Sequence, residues 1–267
     1  MTRFIGFIGG GQMAEAIIKG LLHTGMNPQQ IKVAEPISQR REHLTSTYQI
    51  GVERESASVV KNVDVVVLAV KPQMMETVLT ELKTCYLGQL LITIAAGLPI
   101  SFYQTMLDAQ APIIRVMPNM CALILEGASA LCRNKSVTDA DLAYAEKLFT
   151  AVGSTVIVEE KLMDAVTGLS GSGPAYVFSF IEALIDGGVK LGLSRQISRE
   201  LAVQTVYGAA ACMKQSNAHP AELRDRVTSP GGTTASALQI LDFNGFKGTV
   251  VEAVDAACNR SQELGDN

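Results

Sequence analysis

Gly6-Phe7-Ile8-Gly9-Gly10-Gly11-Gln12-Met13-Ala14 is the stretch that decides the fold. Gly9, Gly11 and Ala14 spell G-x-G-x-x-A at the junction between two periodic segments. Arg3–Gly9 reads as a strand. Gln12–Thr24 reads as a helix, with Met13, Ile17, Ile18, Leu21 and Leu22 at helical spacing. A strand closing and a helix opening on such a turn is the context a dinucleotide fingerprint requires. Gly9 permits the tight turn, Gly11 lets backbone approach a pyrophosphate, and Ala14 lets the helix pack close to the sheet. The helix N-terminus adds N–H donors and a positive dipole end. A glycine-rich turn without a ligand is the bland alternative, and the strand–turn–helix context weighs against it.

Working outward, strand and helix patterns keep alternating. Ile31–Glu35 and Val63–Val70 read as strands, the latter apolar enough to be buried on both faces, as in a parallel sheet. Gln89–Ala95, Ile113–Met117 and Thr155–Val158 are further strands, with an edge strand near Gly127–Cys132. Helices fall at Ser38–Tyr48, Met74–Leu82, Ile100–Leu107 and Thr138–Val152. This alternation predicts an α/β domain over residues 1–160, a doubly wound, mostly parallel sheet of Rossmann type. From about Glu160 no convincing strand remains. Pro174–Leu191, Gln196–Gln215, Thr233–Leu241 and Lys247–Leu264 read as helices, so residues 161–267 form an all-α domain.

Composition narrows the class. The chain has 267 residues, 48% hydrophobic and 18% charged, enough to bury a core, which excludes disorder as the main state. A net charge of −4 argues against nucleic acid, which needs a basic face. Mean hydropathy is +0.23, yet no apolar run approaches the roughly 18–20 residues of a membrane span. The opening Met1-Thr2-Arg3-Phe4-Ile5-Gly6 has no export pattern, and the five widely spaced cysteines fit reduced thiols, so a cytoplasmic protein is expected. No His/Cys cluster has metal-ligand spacing, so no metal is expected.

Candidate site residues follow from the alternation. Glu35 ends the second strand, where an acid accepts from a ribose 2′-OH and favours NAD; a solvated strand-end charge is the alternative. Arg40 and Arg41, one helical turn later, offer cations to a 2′-phosphate. Ala69-Val70-Lys71-Pro72 and Ala95-Ala96-Gly97 end strands at the carboxyl side, where ligands bind in such sheets. Lys71 reads equally well as a phosphate contact or an exposed loop lysine. Ser170-Gly171-Ser172-Gly173-Pro174 reads as a helix start, with Pro174 in the first turn and Ser172 or Gly173 as cap.

On the helix that follows, Ser179, Glu182, Asp186 and Lys190 form one narrow polar stripe. Such a helix is buried or makes an interface, and a homodimer built on the second half is expected. Ser229-Pro230-Gly231-Gly232-Thr233-Thr234 sets a tight turn before a helix, an anion-binding nest suited to a small carboxylate. A capped loop explains the threonines but not the paired glycines. Hydride transfer to an already polarised C=N bond needs little acid–base machinery, so a hydroxyl such as that of Thr234 suffices. A β-hydroxyacid-type dehydrogenase would need a catalytic lysine, and Lys190 lies at the wrong end of its helix. A cofactor sensor without turnover would have no need of the second anion site.

Taken together, several motifs stand in one order. They are Gly6–Met13, Ala69-Val70-Lys71-Pro72-Gln73, Ala95-Ala96-Gly97, Arg115-Val116-Met117-Pro118-Asn119, Gly168–Tyr176 and Ser229–Thr234. In that order the whole chain resembles the pyrroline-5-carboxylate reductase family. The resemblance implies NAD(P)H-dependent reduction of L-1-pyrroline-5-carboxylate to L-proline, the last step of proline biosynthesis. It implies NADPH or NADH as cofactor, and a dinucleotide domain followed by a helical dimerisation domain, often within a larger ring such as a pentamer of dimers. By resemblance, Ile8, Gly9, Gly10, Gly11, Gln12, Met13, Ser56, Ala69, Val70, Lys71, Pro72, Ala95, Ala96 and Gly97 contact the cofactor. Val227, Ser229, Gly231, Gly232, Thr233 and Thr234 surround the imino acid, Thr234 bonding the ring nitrogen, with Asn119 near the nicotinamide. Four departures from the family pattern stand out. Met120-Cys121 replaces Thr-Pro after Asn119, Glu35 stands where relatives carry serine or threonine, Ser56 stands where some carry asparagine near the adenine ribose, and Asn217 stands where some carry glutamate.

Overall fold

The computed structural model describes residues 3–265. Their order is β1 (Ile5–Ile8), α1 (Gln12–His23), β2 (Ile31–Ala34), α2 (Ser38–Tyr48), β3 (Gly51–Glu53), α3 (Ser56–Val60), β4 (Val65–Leu68), α4 (Met75–Leu82) and β5 (Leu90–Thr93). Then come α5 (Ile100–Met106), β6 (Ile113–Met117), β7 (Gly127–Arg133), α6 (Asp139–Thr150), β8 (Gly153–Ile157) and α7 (Met163–Val166). The remainder is α8 (Gly173–Lys190), α9 (Arg195–Gln215), α10 (Pro220–Arg226), α11 (Thr233–Phe243) and α12 (Phe246–Gly265).

The eight strands form one sheet in the order β3-β2-β1-β4-β5-β6-β7-β8. All neighbours are parallel except β6 and β7. The first six positions reproduce the doubly wound dinucleotide order, as the alternation predicts. Strand side chains alternate between two cores. Ile5, Phe7, Val65, Val67 and Ile92 face Ile17, Ile18 and Leu21 of α1 and Phe149 of α6. Ile8, Val66, Leu68 and Leu91 face Val59 of α3, Leu79 of α4 and Tyr103 of α5. Burial on both faces explains the near-continuous apolar run of β4.

One strand is new and two local expectations are corrected. The Gly51–Glu53 strand is too short, and too polar, for its pattern to show in the sequence. The segment 127–133 is not an edge, because β8 pairs with its free side and becomes the edge itself. Ser170–Gly173 is not a capped helix start. Residues Thr167–Gly171 form a π-helical turn, and the backbone runs from α7 through it into α8.

The chain divides into two compact units. The first runs through Ser172 and resumes at Ala256; the second is Gly173–Asp255. Within the second unit α8 packs on α9, where Gly188 leaves room for Ser198; a Cβ at Gly188 would lie 2.6 Å from the Ser198 Oγ. Phe178, Phe180, Leu184, Ile197, Leu201 and Tyr207 of these helices are exposed. A buried monomer helix is therefore excluded for α8, and an uncovered apolar face remains.

Candidate cofactor and substrate sites

The turn Gly9–Gly11 sits at the carboxyl end of β1, between the ends of β2 and β4. Gly9 has φ +97°, and a Cβ there would meet the Ala69 carbonyl oxygen at 2.7 Å. Its N–H donates to the Ala34 carbonyl at 2.9 Å, and the Ala69 N–H donates to the Ile8 carbonyl at 2.8 Å. The turn is thus tied to the strands on both sides. Gly11 caps α1 with no side-chain bond, and a Cβ on it would meet nothing within 4 Å. The first N–H groups of α1 therefore point from an uncapped helix end into open space, which is what a pyrophosphate needs.

A cavity of about 1030 Å³ opens in front of this turn. Gly9, Gly11, Glu35, Arg54, Ser56, Ala69, Val70 and Lys71 help to line it. Its size and composition suit a dinucleotide, with a glycine cradle and carboxyl strand ends on one side.

Glu35 is only 7% exposed, and both its oxygens are engaged. The Gly10 N–H donates to Oε2 at 2.9 Å and the Ile37 N–H to Oε1 at 2.9 Å. Arg40 donates from Nε to the Gly10 carbonyl at 2.6 Å and pairs with Glu15. The Gly10 peptide is therefore gripped at both its N–H and its C=O. Glu15 also accepts from Tyr48 Oη at 2.7 Å and bonds His43 Nε2 at 2.9 Å. Burial opposes the charged form of Glu15, but the bonds from His43, Arg40 and Tyr48 outweigh it and hold the carboxyl at about 2. Arg41 donates to the Glu35 and Pro36 carbonyls at 2.9 and 2.7 Å. The expectation that Arg40 and Arg41 offer cations to a 2′-phosphate meets a different geometry: Arg40 is held by Gly10 and Glu15, Arg41 donates from Nη1 to backbone, and neither lines the cavity.

Ala95, Ala96 and Gly97 follow β5. The Thr93 hydroxyl and Tyr103 hydroxyl bond at 2.6 Å beneath them, and Gly97 turns at φ +81°. The C-terminal end of α12 lies against this turn, since a Cβ at Gly265 would come 2.5 Å from the Gly97 carbonyl. Arg115, 5% exposed, anchors the region. It faces Glu160 at 3.6 Å and Asp164 at 4.0 Å; Ser261 of α12 donates to Asp164 at 2.7 Å. An arginine inside the apolar run Ile113-Ile114-Arg115-Val116 is the signal sequence reading passed over, because a buried cation demands partners.

Asn119 is 8% exposed and spends its amide on backbone. Nδ2 donates to the Ser170 carbonyl at 3.0 Å, and Oδ1 accepts from the Ala128 N–H at 3.2 Å. It thereby fixes the π-helical turn against the strand that carries it.

In the second unit, Gly231 has φ +68° and the Gly232 N–H donates to the Ser229 carbonyl at 3.0 Å, closing the turn. Gly232 caps α11 without a side-chain bond, leaving the first N–H groups of Thr233 and Thr234 open. Val227 and Ser229 are exposed beside them. His219 caps α10, accepting from the Ala221 N–H at 3.2 Å, so it is spent structurally.

A doubly wound sheet with a glycine cradle and an uncapped helix end defines a dinucleotide-binding protein of Rossmann type. A family model described as pyrroline-5-carboxylate reductase dimerisation matches residues 160–264. One described as NADP oxidoreductase, coenzyme F420-dependent, matches residues 4–97. A pyrroline-5-carboxylate reductase of Synechocystis is 47% identical over 266 residues, covering 99% of each chain. A solved pyrroline-5-carboxylate reductase from Coxiella burnetii superposes with TM-score 0.95 at 35% identity, covering 99% of each chain. The Plasmodium falciparum pyrroline carboxylate reductase, solved with NADP bound, superposes with TM-score 0.89 at 36% identity over 98% of each chain. The chain belongs to the pyrroline-5-carboxylate reductase family, as its motifs imply.

Proposed function

We propose that this chain reduces L-1-pyrroline-5-carboxylate to L-proline with NADPH or NADH, closing proline biosynthesis. The observation that carries the reading is a pair of uncapped helix ends in one chain of this family. One is α1 behind Gly9–Gly11; the other is α11 behind Gly231–Gly232. The first takes a pyrophosphate through the N–H groups of Gly11, Gln12 and Met13, because that of Gly10 is committed to Glu35. Ile8, Ser56, Ala69–Pro72 and Ala95–Gly97 complete the cofactor's surroundings. When bound, the dinucleotide would supply a hydride for the C=N carbon, and the ring nitrogen would take its proton from solvent to become the secondary amine.

The second helix end takes the substrate carboxylate on the backbone of Gly231, Gly232 and Thr233, with Val227 and Ser229 beside it. The Thr234 hydroxyl holds the ring nitrogen and so orients the C=N bond. Asn119 belongs to this assignment as the residue that fixes the turn carrying Ser170. The division of labour is dinucleotide binding over residues 1–160 and dimerisation with substrate binding over 161–267, a split supported by where the dimerisation model begins.

The exposed apolar faces of α8 and α9 lie within the segment matched by that dimerisation model, which supports a homodimer formed through them. A pentamer of such dimers is the larger assembly in this reading. No helix of the described residues is long and apolar enough to cross a membrane, and the reading places the enzyme in the cytoplasm. The test is oxidation of NADPH and NADH by the purified protein with pyrroline-5-carboxylate. Turnover is expected; cofactor binding without turnover overturns the reading.

A further inference from the structure

Resting on the reading that the cavity holds NADPH or NADH, we propose that Arg54 is the residue that recognises the 2′-phosphate, and that Glu35 positions the glycine turn instead of choosing the cofactor. The starting point is the register of β2 and β3. Ala34 pairs with Glu53, and the Glu35 N–H donates to the Glu53 carbonyl at 2.9 Å. Arg54 is thus the residue that leaves β3 immediately beside the end of β2. In sheets of this order the ribose 2′ position lies at the end of β2.

Arg54 lines the cavity and is exposed, with no hydrogen bond or ion pair among the described residues. The other candidate cations are excluded by geometry. Arg40 is held by Gly10 and Glu15, Arg41 donates from Nη1 to two carbonyls, and neither lines the cavity. Lys71 lines the cavity at the end of β4, on the opposite side of β1 from β2. Three acids share the lining, Glu35, Glu55 and Glu81. Glu35, the one at the end of β2, holds backbone N–H groups with both oxygens. A guanidinium presents a planar fork that matches a phosphate and is absent from the recognition of a plain ribose hydroxyl.

The experiment compares Arg54→Gln with the unaltered full chain, measuring kcat/KM and dissociation constants for NADPH and NADH. Adenosine 2′-phosphate and adenosine 5′-phosphate serve as competing probes. The NADPH-to-NADH ratio is expected to fall about 10- to 100-fold, the size of one lost charge-assisted contact. Inhibition by adenosine 2′-phosphate weakens alongside, and that by adenosine 5′-phosphate does not. Equal changes for both cofactors, or none, overturn the Arg54 assignment. Glu35→Gln should weaken both cofactors together; a ratio that shifts about tenfold towards NADPH overturns the positioning role, since it shows the carboxylate repelling the phosphate. Binding is read apart from turnover. A protein that binds both cofactors yet reduces no pyrroline-5-carboxylate refutes the proposed reaction while still testing Arg54, and one that binds neither refutes both.

Discussion

Asn119 donates to the Ser170 carbonyl at 3.0 Å across 51 residues of sequence, and that bond ties the loop after β6 to the π-helical turn. Single π turns inside helices often accompany functional sites, because the extra residue re-aims the backbone. Asn119→Ala removes both of its backbone bonds and leaves a half-buried carbonyl and N–H without that partner. A loss of about 1–3 kcal/mol in stability is expected from denaturant unfolding. Activity should fall by more than that loss of folded protein explains, because the Ser170 turn is no longer fixed.

Gly9 and Gly11 should separate folding from binding. Gly9→Ala places a methyl 2.7 Å from the Ala69 carbonyl at a φ of +97°, so both the melting temperature and cofactor affinity should drop. Gly11→Ala meets nothing in the protein. Its melting temperature without cofactor should stay near that of the parent, while NADPH titration shows weakened binding. An unchanged dissociation constant for Gly11→Ala would sink the placement of the pyrophosphate.

Thr234→Ala should lower kcat/KM about 10- to 10³-fold, by analogy with loss of one oxyanion donor. Thr234→Ser, which keeps the hydroxyl, should recover most of it. The measurement is initial rates over a range of pyrroline-5-carboxylate concentrations at saturating cofactor. Equal rates for the alanine variant and the parent would remove Thr234 from the site.

Glu15 gives a pH signature. Its carboxyl lies at about 2 in the fold against an ordinary 4.5, a depressed value. A depressed acid contributes stability that is complete above its unfolded value and lost as pH falls through its folded value. The clamp on Gly10 should therefore weaken between about pH 4.5 and 2. Glu15→Gln should be less stable at neutral pH and show a shallower loss across that window, read by chemical unfolding at each pH. Identical slopes for the two proteins would mean the network stabilises nothing.

Among the exposed apolar residues, Leu201 on α9 tests the assembly. Leu201→Asp should reduce the mass measured by light scattering from a dimer or its multiple towards a single chain. A mass that does not change would place the subunit contact elsewhere.

Much of this molecule is written locally. The glycine turn, the alternation of strand and helix, and the Pro-Gly-Gly nest before α11 each depend on neighbouring residues, through backbone freedom and side-chain period. Those features were legible in sequence, as was the family. The three-residue β3 and the π-helical turn were not, because three residues carry no period and a π turn has the same local composition as a capped helix start.

The sequence by itself determined where two helices open behind glycine turns, at Gly9–Gly11 and Gly231–Gly232, since turn and helix start are local chemistry. Only the tertiary structure decided which charges remain free to choose between ligands. Glu35 and Gly10 are 25 residues apart, and Arg40 and Glu15 another 25, yet their bonds consume the acid and the arginine that the sequence offers for selection. Arg54, at the end of the strand beside β2, makes no hydrogen bond or ion pair among the described residues. A charged side chain's partners are set by which strands and helices pack together, and no local pattern encodes that.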